Sequence, residues 1–185
     1  RNPGAMAAIL GIDAETVRDV CERASRESGK TLVLANDNCP GQIVISGDDA
    51  ALEIGLEMAK AAGAKRALKL AVSIAAHSPL MSTAANLFRN AVDLTPLELP
   101  QIPIIGNVNV ARMETIDSIR EELGNQLTQS VRWTETIQAM RSQGITHFFE
   151  FGPKDVLNGL IKRIDREVTS VPVNSAPALQ SLIAS

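Results

Sequence analysis

The run Arg66-Ala-Leu-Lys-Leu-Ala-Val-Ser-Ile-Ala-Ala-His77-Ser-Pro-Leu-Met81 is where one folding pattern gives way to another. Arg66 to Leu70 reads as a strand, His77 falls in the turn after it, and Pro79 opens a helix extending to about Val92. Proline suits a first helical turn because its φ is already set and its missing N–H would have had no intrahelical partner. Upstream, Gly4 to Leu10 is a short apolar run that reads as a strand. Asp13 caps a helix to about Glu27, with Val17, Val20, Cys21 and Ala24 at helical spacing, and Gly29 ends it. Thr31 to Ala35 and Gln42 to Ser46 read as two strands, with the turn chemistry of Asn36-Asp-Asn-Cys-Pro-Gly41 between them. Asp48 or Asp49 caps a second helix that carries Leu52, Leu56 and Ala59 on one face and ends at Gly63. The resulting order, β-α-β-β-α-β, is the ferredoxin-like split βαβ arrangement.

Downstream the pattern is different. Pro96, Pro100 and Pro103 punctuate a linker, and Ile102 to Val108 reads as a strand. Helices follow at about Thr115 to Leu127 and Trp133 to Gln143. His147 to Phe151 reads as a buried strand meeting Gly152-Pro153, and Asp155 caps a helix through Ile164. Val168 to Val173 is a last strand before a short apolar tail. Strands alternating with helices indicate part of a parallel α/β sheet. So few strands would leave long open edges, so the others are expected from polypeptide upstream. Arg1-Asn-Pro-Gly4 runs almost directly into the first strand without an initiator Met, which suggests a chain that begins inside a longer protein, an opening that trimming or processing would equally produce.

With 45% hydrophobic residues in 185, the chain has material for a substantial core. Aromatic residues are only 3% and Tyr is absent, which argues against stacking platforms for single-stranded nucleic acid. The net charge of −3 argues against a general nucleic-acid binder. The two cysteines, Cys21 and Cys39, form neither a disulfide framework nor a metal-ligand spacing, and fit a reducing cytoplasmic setting. No apolar run has the length to span a bilayer.

A lone histidine is more commonly a packed or surface residue. The placement of His77 between two firm elements favours a functional reading, because rigid elements are what hold catalytic groups in place. Imidazole is also the side chain best matched to proton transfer near neutral pH. No Gly-x-Ser-x-Gly elbow occurs in the chain, so a nucleophile served by His77 is not in these residues. His147, ahead of Phe148-Phe149-Glu150-Phe151, reads as structural or exposed, and Glu150 has no second carboxylate placed to pair with it. Asn38-Cys39-Pro40-Gly41-Gln42 is first a tight loop; its functional reading is a cleft border where the Asn38 amide offers a donor and an acceptor. Cys39, with no adjacent base, is a small apolar side chain. Lys65-Arg66 with Lys69 makes a small cationic cluster, by default a solvated strand entrance and alternatively a dock for an acidic partner.

Six stretches in collinear order resemble the malonyl-CoA:acyl carrier protein transacylase family, the acyltransferases of fatty acid and polyketide synthesis. They are Gly4-Ala-Met-Ala-Ala-Ile-Leu-Gly11, Asn38-Cys-Pro-Gly-Gln-Ile-Val-Ile-Ser-Gly47, Ala61-Ala-Gly-Ala-Lys-Arg-Ala-Leu-Lys-Leu70, Val72-Ser-Ile-Ala-Ala-His-Ser-Pro-Leu-Met81, Gln126-Leu-Thr-Gln-Ser-Val-Arg-Trp133 and Phe151-Gly-Pro-Lys-Asp-Val-Leu-Asn-Gly-Leu-Ile-Lys-Arg163. The resemblance implies an α/β fold with a ferredoxin-like small subdomain at residues 1–71. Residues 72–185 would form the C-terminal part of a large α/β-hydrolase-like subdomain. It implies malonyl transfer from CoA to the phosphopantetheine thiol of acyl carrier protein through a serine ester. That serine would come from a missing N-terminal portion, and this chain alone would be inactive.

His77 matches the family's catalytic histidine, and Gln126 matches the residue whose backbone carbonyl orients it. Asn38 matches a loop bordering the cleft, and Lys65 and Arg66 match positions suspected of meeting the carrier protein. No cofactor, metal, nucleic acid or membrane is implied. Where the family often has Phe, or Ser after Pro, just before its histidine, this chain has Ile74, Ala75 and Ala76. The small Ala76 leaves room for a branched group such as methylmalonyl, although one methylene discriminates by only about 1–3 kcal/mol. Two alternatives stay open: a non-catalytic module that binds a partner, and an acyltransferase domain of a polyketide synthase.

Overall fold

The computed structural model describes residues 4–184. Arg1–Pro3 and Ser185, the outer ends of the two expected subdomains, lie outside the described residues. The chain forms two compact units, Arg1–Trp133 and Thr134–Ser185. The expected boundary at residues 71/72 falls inside the first of them.

The first unit begins with β1 (Ala5–Leu10), α1 (Ala14–Ser28), β2 (Leu32–Cys39), β3 (Gln42–Gly47), α2 (Asp49–Ala61) and β4 (Arg66–Lys69). The strands form an antiparallel sheet in the order β2-β3-β1-β4. Both helices start where the sequence places carboxylates. Asp13 accepts a hydrogen bond from Thr16 N at 2.8 Å, and Asp48 accepts one from Ala50 N at 3.0 Å. Each satisfies an N–H that the first helical turn leaves without a partner. The apolar stripes of α1 and α2 cover one face of the sheet. Val17, Val20, Cys21, Ala24, Leu52, Leu56 and Ala59 are buried there against Ile9, Leu34, Ile43 and Ile45. Burial pushes the Cys21 thiol up to about 12, with the neighbouring Glu22 charge adding to it, so this cysteine is a packing group.

The other face of the sheet carries a smaller cluster of Met6, Ala35 and Val44, with Leu70 and Ala76 packed on it. β2 is longer than the sequence suggests. It continues to Cys39 through two irregularities in its pairing with β3, so the expected Asn36–Gly41 turn shrinks to Pro40-Gly41. Proline presets one φ of that turn, and Gly41 takes φ +71, which L side chains rarely adopt.

After β4 the chain crosses an irregular stretch to a 3₁₀ turn at Pro79–Met81, and α3 (Ser82–Leu94) follows. The expected strand at Ile102 to Val108 is absent. This region holds an isolated Ile105↔Arg112 bridge inside a loop, closed by Gly106 N→Ala111 O and Met113 N→Ile104 O. Pro100 and Pro103 remove backbone donors, and Val110 sits at φ +55, a break that no continuous ladder tolerates. α4 (Ile116–Asn125) begins with a reciprocal capping box between Thr115 and Ser118. Val131 then pairs with the outer edge of β2, through Val131 N→Ala35 O at 2.8 Å and Asp37 N→Val131 O at 2.9 Å.

The second unit contains most of α5 (Trp133–Ser142), then β5 (His147–Phe151), α6 (Val156–Ile164), β6 (Thr169–Val173) and α7 (Ala176–Ile183). β5 and β6 form a two-stranded parallel sheet, His147 opposite Thr169 and Phe151 opposite Val173. The expectation of a buried β5 fails: Phe149 is 43% and Phe151 67% exposed, because two strands cannot cover both faces of a parallel pair. The apolar tail is a helix, entered through Ser175 as its cap. Asp155 does not cap α6 with its side chain. Glu150 serves that end from a distance, accepting from Leu157 N at 3.0 Å and Asn158 N at 2.8 Å.

Candidate active site

His77 stands in a turn fixed on both sides. Ala76, before it, packs on the Met6–Ala35–Val44 cluster. Ser78, after it, is fully buried; its hydroxyl donates to Ala75 O at 2.7 Å and accepts from Leu80 N at 3.3 Å, capping the 3₁₀ turn. His77 itself adopts φ +57, an uncommon backbone state that histidine enters more readily than most residues. A side chain displayed from such a locked turn has little freedom in its direction.

The ring meets the end of α4. His77 Nδ1 lies 2.7 Å from the main-chain oxygen of Gln126, the C-cap residue of that helix. A carbonyl only accepts, so Nδ1 carries the hydrogen, and in the neutral ring Nε2 is the nitrogen with the free lone pair. Helix ends expose carbonyls without intrahelical partners, which makes them ready acceptors for such a donor. The α4 terminus is itself held by α3: Arg89 Nη2 donates to Gly124 O at 3.2 Å and to Asn125 Oδ1 at 3.1 Å. A cation at a helix C-terminus also complements the dipole there.

Sequence reasoning missed what lies beneath Gln126. The Gln126 side chain donates to Asn107 Oδ1 at 2.8 Å and to Glu122 Oε1 at 3.1 Å. Glu122, only 3% exposed, also accepts from Val108 N at 2.9 Å and Asn109 N at 3.1 Å. Gly106 makes space for that carboxylate, since a Cβ there would lie 2.3 Å from Glu122 Cδ. Glu122 and Gln126 are one helical turn apart, so their spacing was the available signal. What no spacing reveals is the loop folded over them.

The other expected site residues lie on the small sheet and its borders. Asn38 is half-buried on β2 beside the Pro40-Gly41 turn. Cys39 is fully buried in the same strand. Lys65 and Arg66 lie at the start of the β4 edge strand, level with Leu10, and both are exposed. Lys69 does not join them as a free cation. It is shared by Asp49 at 2.8 Å and Glu53 at 2.9 Å, whose hydrogen bonds raise its pKa. In the second unit His147 is exposed and bonded to Thr146 Oγ1 at 2.9 Å. Burial opposes ionisation of Glu150, but hydrogen bonds from Asn158 N, Leu157 N and Asn158 Nδ2 outweigh it and hold the carboxyl below its ordinary range. Glu150 serves as a cap of α6.

Residues 2–180 match the family model described as the acyl transferase domain. The malonyl CoA-acyl carrier protein transacylase of Bacillus subtilis is 41% identical over 97% of this chain and 56% of its own length. That of Escherichia coli K12 is 40% identical over 97% of this chain and 58% of its own. Among solved structures, the transacylase of Coxiella burnetii superposes with a TM-score of 0.94 at 38% identity, over 99% of this chain and 57% of that one. A type II PKS acyl-carrier protein in complex with its malonyl-transacylase gives the same TM-score and identity, over 99% and 59%. The chain thus spans a little over half the length of the curated relatives it matches. Among the described residues, no helix is long and apolar enough to cross a membrane.

Proposed function

The chain belongs to the acyl transferase domain family, and from that premise we propose that it supplies the general base of a malonyl-CoA:acyl carrier protein transacylase. The observation that carries this reading is the 2.7 Å contact between His77 Nδ1 and Gln126 O, which leaves Nε2 as the basic nitrogen. The nucleophilic serine comes from polypeptide outside these 185 residues. His77 Nε2 takes its proton as the oxygen attacks the malonyl thioester, then gives that proton to the departing CoA thiol. The malonyl group is now a serine ester. In the second half-reaction His77 takes the proton of the carrier's phosphopantetheine thiol as it attacks, and returns it to the serine oxygen. No cofactor takes part.

On this reading residues 1–71 are a ferredoxin-like small subdomain, supported by the β2-β3-β1-β4 antiparallel order with both helices on one face. Residues 72–185 are the C-terminal part of the large α/β subdomain, and its missing strands and serine lie in the N-terminal portion of the enzyme. The exposed Phe149 and Phe151 on a lone parallel pair support that division. Asn38 borders the acyl cleft, and Lys65 and Arg66 dock the acidic carrier. Cys21 and Cys39 are buried as thiols rather than as a disulfide, which suits a cytoplasmic enzyme. The small Ala76 favours a second reading in which a polyketide synthase domain accepts methylmalonyl.

His77→Ala in the full-length protein tests the proposal. Carrier-dependent malonyl transfer is expected to fall by roughly 100-fold or more. An unchanged rate would leave the alternative of a non-catalytic, partner-binding module. The isolated chain is expected to take up no covalent malonyl ester, and a mass increase of one malonyl group on it would refute the assignment of the serine elsewhere.

A further inference from the structure

We propose that Glu122 is a positioning residue for His77, acting through Gln126 and the loop at residues 106–110; this rests on the reading of His77 as the proton relay. A carboxylate near a helix C-terminus faces the negative end of the dipole, and burial adds a desolvation cost. Glu122 has both disadvantages, three residues before the end of α4 and 3% exposed. Its three partners explain why it is tolerated. Val108 N and Asn109 N lie in a loop whose next residue, Val110, is at φ +55, a strained state for a β-branched side chain. The carboxylate holds that turn closed. The third partner, Gln126 Nε2, is shared with Asn107 Oδ1 from the same loop. Gln126 is therefore gripped by its side chain while its main-chain oxygen holds the ring. The loop, the carboxylate and the amide set where that oxygen points, and so which His77 nitrogen keeps its hydrogen.

The test uses Glu122→Gln and Gln126→Met. Glu122→Gln turns one acceptor oxygen into a donor facing Asn109 N or Val108 N. Gln126→Met keeps the main-chain oxygen and the Glu122 bonds to the loop, so it remains a fair test if the first variant does not fold. In the full-length protein each is expected to lower kcat about 10- to 100-fold, with KM for malonyl-CoA and carrier within about twofold. The double variant is expected to be no worse than the poorer single one, since both act on the same carbonyl. Nitrogen NMR of the His77 ring in the full-length protein gives a readout that does not need turnover. The neutral ring is expected to be protonated at Nδ1 alone, and the variants are expected to mix the two tautomers. Folded variants with unchanged kcat and an unchanged ring spectrum overturn the proposal. A raised KM with kcat intact also overturns it, because the side chains would then be substrate contacts. If His77→Ala leaves transfer intact, the relay reading fails by itself, and the ring spectrum still decides the role of Glu122.

Discussion

Adding one methyl group at Gly106 should unseat the buried carboxylate of Glu122. The new Cβ would lie 2.3 Å from Cδ, 2.4 Å from Oε2 and 2.7 Å from Oε1. Carbon contacts in packed interiors are normally near 3.5–4.0 Å, so the carboxylate must retreat by about 1 Å or more. Its bonds to Val108 N at 2.9 Å and Asn109 N at 3.1 Å would then pass beyond hydrogen-bond range. Hydrogen bonds to a charged group are worth about 1.5–3 kcal/mol each, which puts the loss of both near 3 kcal/mol at the lower end. Removing a glycine returns about 0.5 kcal/mol by narrowing the unfolded ensemble. The net cost is about 2.5 kcal/mol, or a fall in melting temperature of roughly 5–10 °C for a chain of this size. Urea unfolding followed by circular dichroism measures it. The decisive comparison is Gly106→Ala in a Glu122→Ala background, where the methyl meets no carboxylate and should cost under about 0.5 kcal/mol. An equal cost in both backgrounds, or no cost in either, would refute the reasoning.

Gly159 lies inside α6 with open space where a Cβ would stand and no atom within 4 Å of it, so Gly159→Ala should stabilise the chain by about 0.5–1 kcal/mol in the same urea assay. The depressed Glu150 carboxyl stabilises the fold fully above its ordinary value of 4.5, and that contribution is lost as pH falls through the lower folded value. The amide shifts of Leu157 and Asn158 should therefore titrate with a midpoint below 4.5, and a midpoint at or above it would contradict the cap. Reversing charge at Lys65 and Arg66 should raise KM for the carrier about 2- to 10-fold and flatten its salt dependence, while malonyl loading from CoA is unchanged.

The first seventy residues are legible because their signals are local and agree with one another. Asp13 and Asp48 cap where carboxylates stand ahead of periodic apolar residues, and Val17, Val20, Leu52 and Leu56 bury as their spacing demands. Downstream, apolar runs mislead. Ile102, Ile104 and Val108 resemble strand residues, but the nearby prolines and a turn at Val110 leave them in a loop. His147 to Phe151 looks buried only if other strands flank it. The resemblance singles out His77 and Gln126, which the structure brings to 2.7 Å of each other. Glu122 escapes notice because its importance comes from Val108 and Asn109, backbone groups whose return to α4 is a tertiary event. Lys69 reads as part of a cationic cluster for the same reason: its partners, Asp49 and Glu53, lie on α2, distant in sequence.

The outer edge of β2 carries a further consequence. Val131, a few residues beyond Gln126, is clamped to Ala35 and Asp37, while Ala76, next to His77, rests on the cluster that contains Ala35 and Val44. Donor and acceptor are thus moored to one patch of the same sheet by very short tethers. A substitution that shifts this patch would therefore displace the imidazole and its carbonyl together, keeping their spacing.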